Sequence, residues 1–376
     1  MGKERFTMQW FDFYKGKKVL ITGHTGFKGG WMCSMLHKAG AQVTGYALKP
    51  PTSPSLFDLC SLGDKVYSVE GDVRDLPHLH RVFEETKPEI VIHMAAQPLV
   101  RESYQNPVYT YEVNVMGTVN VLECVRQSNS VRSVINVTTD KVYRNKEWCW
   151  GYREEDELNG YDPYSNSKSC SELVTDSYKA SFFSRDTESA AESFAEFTLG
   201  VSTVRAGNVI GGGDFAKDRI IPDCVRAVSR GEEIIVRNPY SVRPYQHVLE
   251  PLAVYLMLAK EQYEDVKFAG HYNVGPDESD CLTTGNLVDL FCCKWMQQTG
   301  KKPLWIDQSG HGPHEAGFLK LDCSKLKSVL GWKSAWNIEK AMEKLVEWYH
   351  VYLSCGKIEE CMEKQIAEFL AAGGME

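Results

Sequence analysis

The chain has 376 residues, 43% of them hydrophobic and 24% charged, with a formal net charge of −8. That suits one large or two modest globular domains. The lack of any basic block argues against nucleic-acid binding, and no apolar run approaches the ~20 residues a membrane span needs.

The opening MGKERFTMQWFDFYKGKK lacks the apolar stretch of a signal peptide. The twelve Cys are scattered singly apart from Cys292-Cys293, with no C-x-x-C. They read as reduced thiols in a cytoplasmic protein, each a small core residue by default, rather than as a zinc site or a disulfide framework.

In chain order, Lys18-Val19-Leu20-Ile21-Thr22 reads as a short buried strand. Gly23, Gly26 and Gly29 follow at three-residue spacing in GHTGFKG, and 31–39 reads as a helix stopped by Gly40. A second strand is expected over 41–47. This strand, glycine turn, helix, strand unit opens a dinucleotide-binding fold. Its glycines let the backbone approach a pyrophosphate, and the helix N-terminus offers free N–H donors. Further strands are expected at 66–69, 89–93, 133–137 and 201–205, with a helix over 110–127. Such alternation predicts an α/β architecture, a Rossmann-type doubly wound parallel sheet covered on both faces. Ligands of such sheets bind outside the carboxyl ends of the strands. Gly23, Asp72, Ala95, Thr138 and Asn208 each follow an apolar run directly, so the expected site lies along one edge of the sheet.

After about residue 206 loops dominate, at 211–214, 237–239, 241–244 and 310–316. Helices are expected at 221–230 and 284–298. This predicts a smaller, mixed, C-terminal substrate-binding domain. The expected division assigns 15–205 plus about 246–272 to the dinucleotide-binding domain, about 206–245 plus 273–352 to the second domain, and 353–376 to a helical tail. Residues 184–195, rich in Ser, Glu and Ala, read as an exposed insertion, and 357–372 as a charged amphipathic helix.

Two short stretches carry chemistry. Thr138-Thr139-Asp140-Lys141 sets hydroxyls, a carboxylate and an amine side by side, and Tyr164-Ser165-Asn166-Ser167-Lys168 places a phenol and an ammonium four apart. Positions i and i+4 share a helix face. Positive charge beside a phenol favours phenolate, so the pair suits taking a proton from an alcohol while hydride leaves its carbon. The carboxylate and amine suit a second proton transfer. One site holding both sets can oxidise a substrate and then eliminate water from it. Tyr-x-x-x-Lys also occurs at Tyr14/Lys18 and Tyr263/Lys267. Only Tyr164 has Pro163 at a first helical position, Asp162 as a cap, and a preceding strand-like run into Thr138.

GHTGFKG, GDVRD, HMAAQPLVR, NVMGT, TTDK, YDPYSNSK, RAGNVIGGGD, KDRIIPD, RNPYSVRPYQHVLEP and GPHEA resemble the extended short-chain dehydrogenase/reductase family of NAD-dependent epimerases and dehydratases. Within that family they resemble the CDP-glucose 4,6-dehydratases, over nearly the whole chain. Related dTDP- and GDP-sugar dehydratases typically carry Thr-Asp-Glu, and here Lys141 stands in place of that Glu. The resemblance implies a hydro-lyase using NAD and taking CDP-glucose to CDP-4-dehydro-6-deoxyglucose. Hydride leaves sugar C4 for NAD, the 4-ketone acidifies C5–H, water leaves across C5 and C6, and the hydride returns to C6. It also implies a cytoplasmic homodimer or homotetramer serving deoxysugar and lipopolysaccharide O-antigen synthesis.

The roles follow. Tyr164 takes the 4-OH proton, and Lys168 lowers its pKa and binds the nicotinamide ribose. Thr138 or, preferably, Thr139 bonds the 4-oxygen. Asp140, protonated, donates to the leaving 6-OH. Lys141, if neutral, takes the C5 proton; otherwise it orients Asp140 or a water. The family's cofactor contacts map to Gly23, His24, Gly26, Phe27, Gly29, Asp72, Val73, Ala95, Ala96, Gln97 and Asn114. Substrate contacts map to Asn208, Arg219, Arg237, Arg243 and Glu315, with guanidinium suited to the diphosphate. His247 reads as structural, and no metal is expected. One departure is that 45–49 ends without the acid that usually holds the ribose 2′-OH. Lys49 there leaves NADP as the alternative cofactor. The rival functions are a 4-epimerase, a dehydratase of another nucleotide sugar, and a silent NAD-binding sensor. Asp140-Lys141 argues against the first, and the presence of Tyr164 and Lys168 against the last.

Overall fold

The computed structural model describes residues 9–183, 199–309 and 317–373, so Glu315 and the expected insertion at 184–195 lie outside the described residues. Seven strands form one parallel sheet: β1 Lys18–Thr22, β2 Gln42–Ala47, β3 Tyr67–Glu70, β4 Ile90–His93, β5 Ser133–Val137, β6 Gly200–Ala206 and β7 His271–Val274. Their order is β7-β6-β5-β4-β1-β2-β3. Val19 pairs with Val43 on one side and Ile90 on the other. The order reverses at β1, which places the ligand crevice beyond the carboxyl ends of β1 and β4.

The central strands β1, β4 and β5 are largely aliphatic because both faces are covered, whereas the edge strand β3 is mostly exposed. Successive side chains point to opposite faces. Val19, Ile21, Ile90, Ile92, Ile135 and Val204 enter one core, while Leu20, Val91, Val134 and Val201 enter the other. The principal helices are α1 Phe27–Lys38, α2 Leu76–Thr86, α3 Gly117–Gln127, α4 Pro163–Tyr178, α5 Ile220–Arg230, α6 Leu249–Glu264, α7 Thr284–Thr299, α8 Ile338–Leu353 and α9 Ile358–Ala372. Helices α1 and α6 bury Trp31, Leu36, Leu252 and Leu256 in the first core. Helices α2 and α3 bury Leu79, Phe83, Val121 and Val125 in the second.

Several elements differ from expectation. Helix α1 begins at Phe27, directly after its N-cap Gly26, so Gly29 and Gly30 lie inside it. Their helix cost is offset by close packing: a Cβ on Gly29 would stand 2.3 Å from the Gly23 carbonyl oxygen. The helix expected over 110–127 is three runs, Pro107–Tyr111, a π turn Glu112–Met116, and α3. The short strand β7 extends the sheet beyond β6. Beyond β6 the chain also forms two-stranded ladders, 209–210 with 246–247, 242–244 with 281–283, and 234–236 with 305–307. All twelve Cys are free. Among the described residues, no helix is long and apolar enough to cross a membrane.

Candidate active site

The end of β1 is tied to the end of β4. Thr22 Oγ1 accepts from the N–H groups of Met94 at 3.1 Å and Ala95 at 3.2 Å. Gly23 follows with φ +79°, and a Cβ there would meet the Ala95 nitrogen at 2.8 Å. Only glycine fits both demands. Gly26 caps α1 with no side-chain hydrogen bond. A turn with glycine at both ends, its His24 and Thr25 side chains buried, feeding an open helix N-terminus, fits the pyrophosphate of a dinucleotide.

The other expected cofactor residues line the same edge or brace it. His24 is buried, its Nε2 2.7 Å from Ser68 Oγ, and its ring fills the space a side chain at Gly45 would need. Burial lowers its pKa to about 4, so it is neutral. Phe27 points toward Gly211. Asn114 exchanges hydrogen bonds with the Gln97 backbone, at 2.8 and 3.1 Å, and donates to Ser167 Oγ at 2.9 Å. That joins the Ala95-Ala96-Gln97 loop to α4. The Val73 carbonyl accepts from Asn120 at 2.8 Å. Asp72 is gripped by Arg74 at 2.7 Å, which holds its carboxyl below the usual range. Lys49 is largely exposed and forms only a loose pair with Glu70 at 3.9 Å.

The two chemical stretches meet in one cleft. Asp162 caps α4, accepting from Ser165 N at 2.9 Å and Ser165 Oγ at 2.6 Å, with Pro163 in the first turn. Tyr164 therefore stands at the helix mouth and Lys168 one turn deeper. Thr138 turns its hydroxyl away from the cleft, into Glu172 at 2.5 Å. Thr139 faces Asp140, donating to Oδ1 at 3.0 Å, and its hydroxyl favours the Tyr164 phenolate. The geometry thus singles out Thr139 of the two threonines. Lys168 is 3% exposed and donates to the Val137 carbonyl at 3.0 Å.

Burial dominates the electrostatics. It raises Tyr164 to about 12, with the Thr139 hydroxyl and the Arg219 guanidinium pulling the other way. It lowers Lys168 to about 8, helped by Lys28 and opposed by Glu172. Asp140 is 1% exposed, and its Oδ2 has no hydrogen-bond partner. Burial raises its pKa, and Lys141 is the strongest of the charges opposing that rise. An uncharged carboxylic acid suits such a place.

Lys28 was missed by the sequence reading. It lies in the first turn of α1, within electrostatic reach of Arg219, Asp140, Asp214 and Lys168. Burial and Arg219 lower its pKa to about 8. A signal existed, because a lysine at a helix N-terminus opposes the helix dipole and so points to a nearby anion. Glu172 was also missed, although it continues the spacing of Tyr164 and Lys168.

On the substrate side, Gly207 lies against Asp140: a Cβ there would be 3.4 Å from Oδ2. The Asn208 carbonyl accepts from Gln246 N at 3.0 Å. Arg243 is buried, donates to the Val242 carbonyl at 2.9 Å and acts on Asp140. Arg219 pairs with Asp214 at 2.9 Å and acts on Tyr164. Arg237 is engaged by Asp218 at 2.7 Å and Asp223 at 2.8 Å, so the structure brings Arg219 and Arg243, but not Arg237, to the catalytic cluster. His247 is buried between Trp31 and Trp336 and pushed down to about 3 by burial, a neutral packing residue.

The family model for GDP-mannose 4,6 dehydratase matches residues 20–345. The chain belongs to this family. It is 46% identical over 362 residues to the CDP-glucose 4,6-dehydratase of Salmonella typhimurium, covering 96% of this chain and 98% of that one. Two solved structures share the fold at 20% identity. The dTDP-glucose 4,6-dehydratase of Bacillus anthracis in complex with NAD has a TM-score of 0.71, over 91% of this chain and 99% of that one. The UDP-glucose-4-epimerase of Stenotrophomonas maltophila with bound NAD has a TM-score of 0.76, over 90% and 100%.

Proposed function

We propose that the chain is a CDP-glucose 4,6-dehydratase that works through bound NAD. The observation that carries this reading is one cleft holding a phenol with its hydroxyl partner, Tyr164 and Thr139, and a dry carboxyl beside an amine, Asp140 and Lys141. The glycine turn opens beside it. NAD, when bound, would supply the acceptor for the sugar C4 hydride and the donor that restores it at C6. Tyr164 takes the 4-OH proton, working against its own burial with help from Thr139 and Arg219. Lys168 reaches the nicotinamide ribose. Asp140 donates its proton to the leaving 6-OH, as its raised pKa allows. Lys141 takes the C5 proton. Arg219 and Arg243 meet the substrate diphosphate, with Asn208 and Glu315 on the nucleotide. Lys28 meets the dinucleotide pyrophosphate. Residues 15–205 with 246–272 hold the cofactor, and 206–245 with 273–352 hold the nucleotide sugar.

The enzyme assembles as a homodimer or homotetramer. Exposed apolar side chains on neighbouring helices, Val108, Tyr111, Met116, Leu173 and Phe182, support a self-association face. Twelve free thiols suit the reducing cytoplasm.

The test is the product formed from CDP-glucose deuterated at C4. Loss of one water with deuterium retained at C6, and no net reduced nicotinamide, is the expected result. An isomer of unchanged mass means an epimerase, stoichiometric reduced cofactor a simple dehydrogenase, and unchanged substrate a sensor.

A further inference from the structure

One buried charge stands just behind the reacting groups. Glu172 is 0% exposed, one helical turn beyond Lys168 and two beyond Tyr164. At i, i+4 and i+8 the three side chains share one face of α4. Its carboxylate accepts from Thr138 Oγ1 at 2.5 Å and from Arg205 Nε at 3.0 Å on one oxygen. The other oxygen accepts from Thr203 Oγ1 at 2.5 Å and Arg205 Nη2 at 3.0 Å. His271 Nδ1 lies 3.3 Å away. Arg205 is 1% exposed and is held in turn by the Tyr143 hydroxyl at 2.9 Å and the Glu154 carbonyl at 2.8 Å.

A buried ion pair is poor grounds for inferring stability, because desolvation offsets most of its attraction and an aliphatic pair could fill the same space. What sets this pair apart is where it leads. One of its two threonine ligands, Thr138, is the first residue of the turn that carries Thr139, Asp140 and Lys141. The same carboxylate is the negative charge that opposes the lowering of the Lys168 pKa.

We propose that Glu172 is a positioning residue for the dehydration. It pins Thr138 so that the next two residues meet Tyr164, and it keeps Lys168 an ammonium on the Val137 carbonyl. The inference rests on the dehydratase reading above. The charged groups acting on Lys168 are Lys28 from α1, which lowers it, and Glu172 from its own helix, which raises it. His93, from β4, is held neutral by burial, with its pKa near 3. Burial pushes Glu172 itself upward, but His271, Arg205 and Thr138 outweigh this and hold it near 2. Glu172 is therefore ionised at any working pH.

The two threonines supply the test, since they bond opposite oxygens of one carboxylate. Thr138→Val and Thr203→Val each remove one hydroxyl and keep the branched shape. Thr138→Val should lower kcat about tenfold or more while KM for CDP-glucose stays within about twofold, because a small misplacement of reacting groups is costly. Thr203→Val should leave kcat within about twofold of the parent, by the same reasoning. Glu172→Gln should move the alkaline limb of the kcat–pH profile to lower pH, because Lys168 loses its counter-charge. If Glu172→Gln fails to fold, the threonine pair decides alone. Equal losses of kcat in both threonine variants, or no loss in either, would reduce Glu172 to a structural residue and overturn the proposal. A parent enzyme that does not dehydrate CDP-glucose overturns the functional reading itself, and this one with it.

Discussion

Tyr164 begins in the wrong protonation state for a base, and its neighbours decide whether it can serve as one. Burial disfavours phenolate, so the Thr139 hydroxyl and Arg219 carry the burden of producing it. Tyr164→Phe should lower kcat by about 10²–10⁴ with an unchanged circular dichroism spectrum, and turnover within about tenfold of the parent would remove Tyr164 from that role. Lys141, beside Asp140, is the group proposed to take the C5 proton. Lys141→Met should slow elimination far more than the first hydride transfer. Reduced nicotinamide would then accumulate in a single turnover, visible by absorbance. Lys141→Glu should recover part of the rate, since a carboxylate there is also a base. Elimination at the parent rate in Lys141→Met would pass the C5 proton to Asp140, Tyr164 or a water. These residues were legible because their partners are neighbours in sequence: Thr139 beside Asp140, Tyr164 one turn from Lys168. The contact between Thr139 and Tyr164 was not, because it joins the end of a strand to the start of a helix 25 positions later.

Helix α4 shows how an element can hide from sequence patterns. Its buried residues are Ser165, Ser167, Lys168, Ser169, Ser171, Glu172 and Thr175, with no aliphatic stripe among them. Thr118 and Asn136 bond Ser171 at 2.9 and 3.0 Å, and Asn136 also bonds Thr175 at 2.8 Å. A hydroxyl face of this kind gives no hydrophobic periodicity to read, yet each buried hydroxyl of the helix is matched. The cap was readable, because Asp-Pro before a helix is a local signal. Asp162→Ala should cost about 1 kcal/mol in denaturant unfolding. It should also lower kcat, since the first turn that frays contains Tyr164. A variant that loses stability but keeps full kcat would separate the cap from the chemistry. The three-part helix of 107–127 was less readable, because a π turn inserts no residue type of its own.

At the scale of the molecule, the sheet brings β1, β4, β5 and β6 to a common edge, and the segments beyond them cover it. Glu250, at the start of α6, fastens one such segment by accepting from Trp336 N at 2.7 Å. It is buried, its Oε2 lacks a partner, and burial raises its pKa from 4.5 to about 8. A carboxyl whose folded pKa is raised contributes stability that is fully present below 4.5 and is lost as the pH rises through about 8. Unfolding free energy should therefore fall between these values, and Glu250→Gln should flatten that fall when unfolding is measured at several pH values. An unaltered slope would exclude Glu250 as its source. Glu172 acts in the opposite sense, since its folded pKa lies near 2; its contribution is present above 4.5 and is lost as the pH falls toward 2. The sequence by itself determined the parallel sheet, the glycine turn, and the pairing of an oxidation motif with an elimination motif. Those depend on short-range patterns: buried runs, turn residues and one-turn spacings. Only the tertiary structure decided that Lys28 stands near Asp140 and Lys168, that Arg219 acts on Tyr164, and that Arg205 neutralises Glu172. Each of these joins residues far apart in the chain, and burial, which sets their charge states, exists only once the sheet has closed over them.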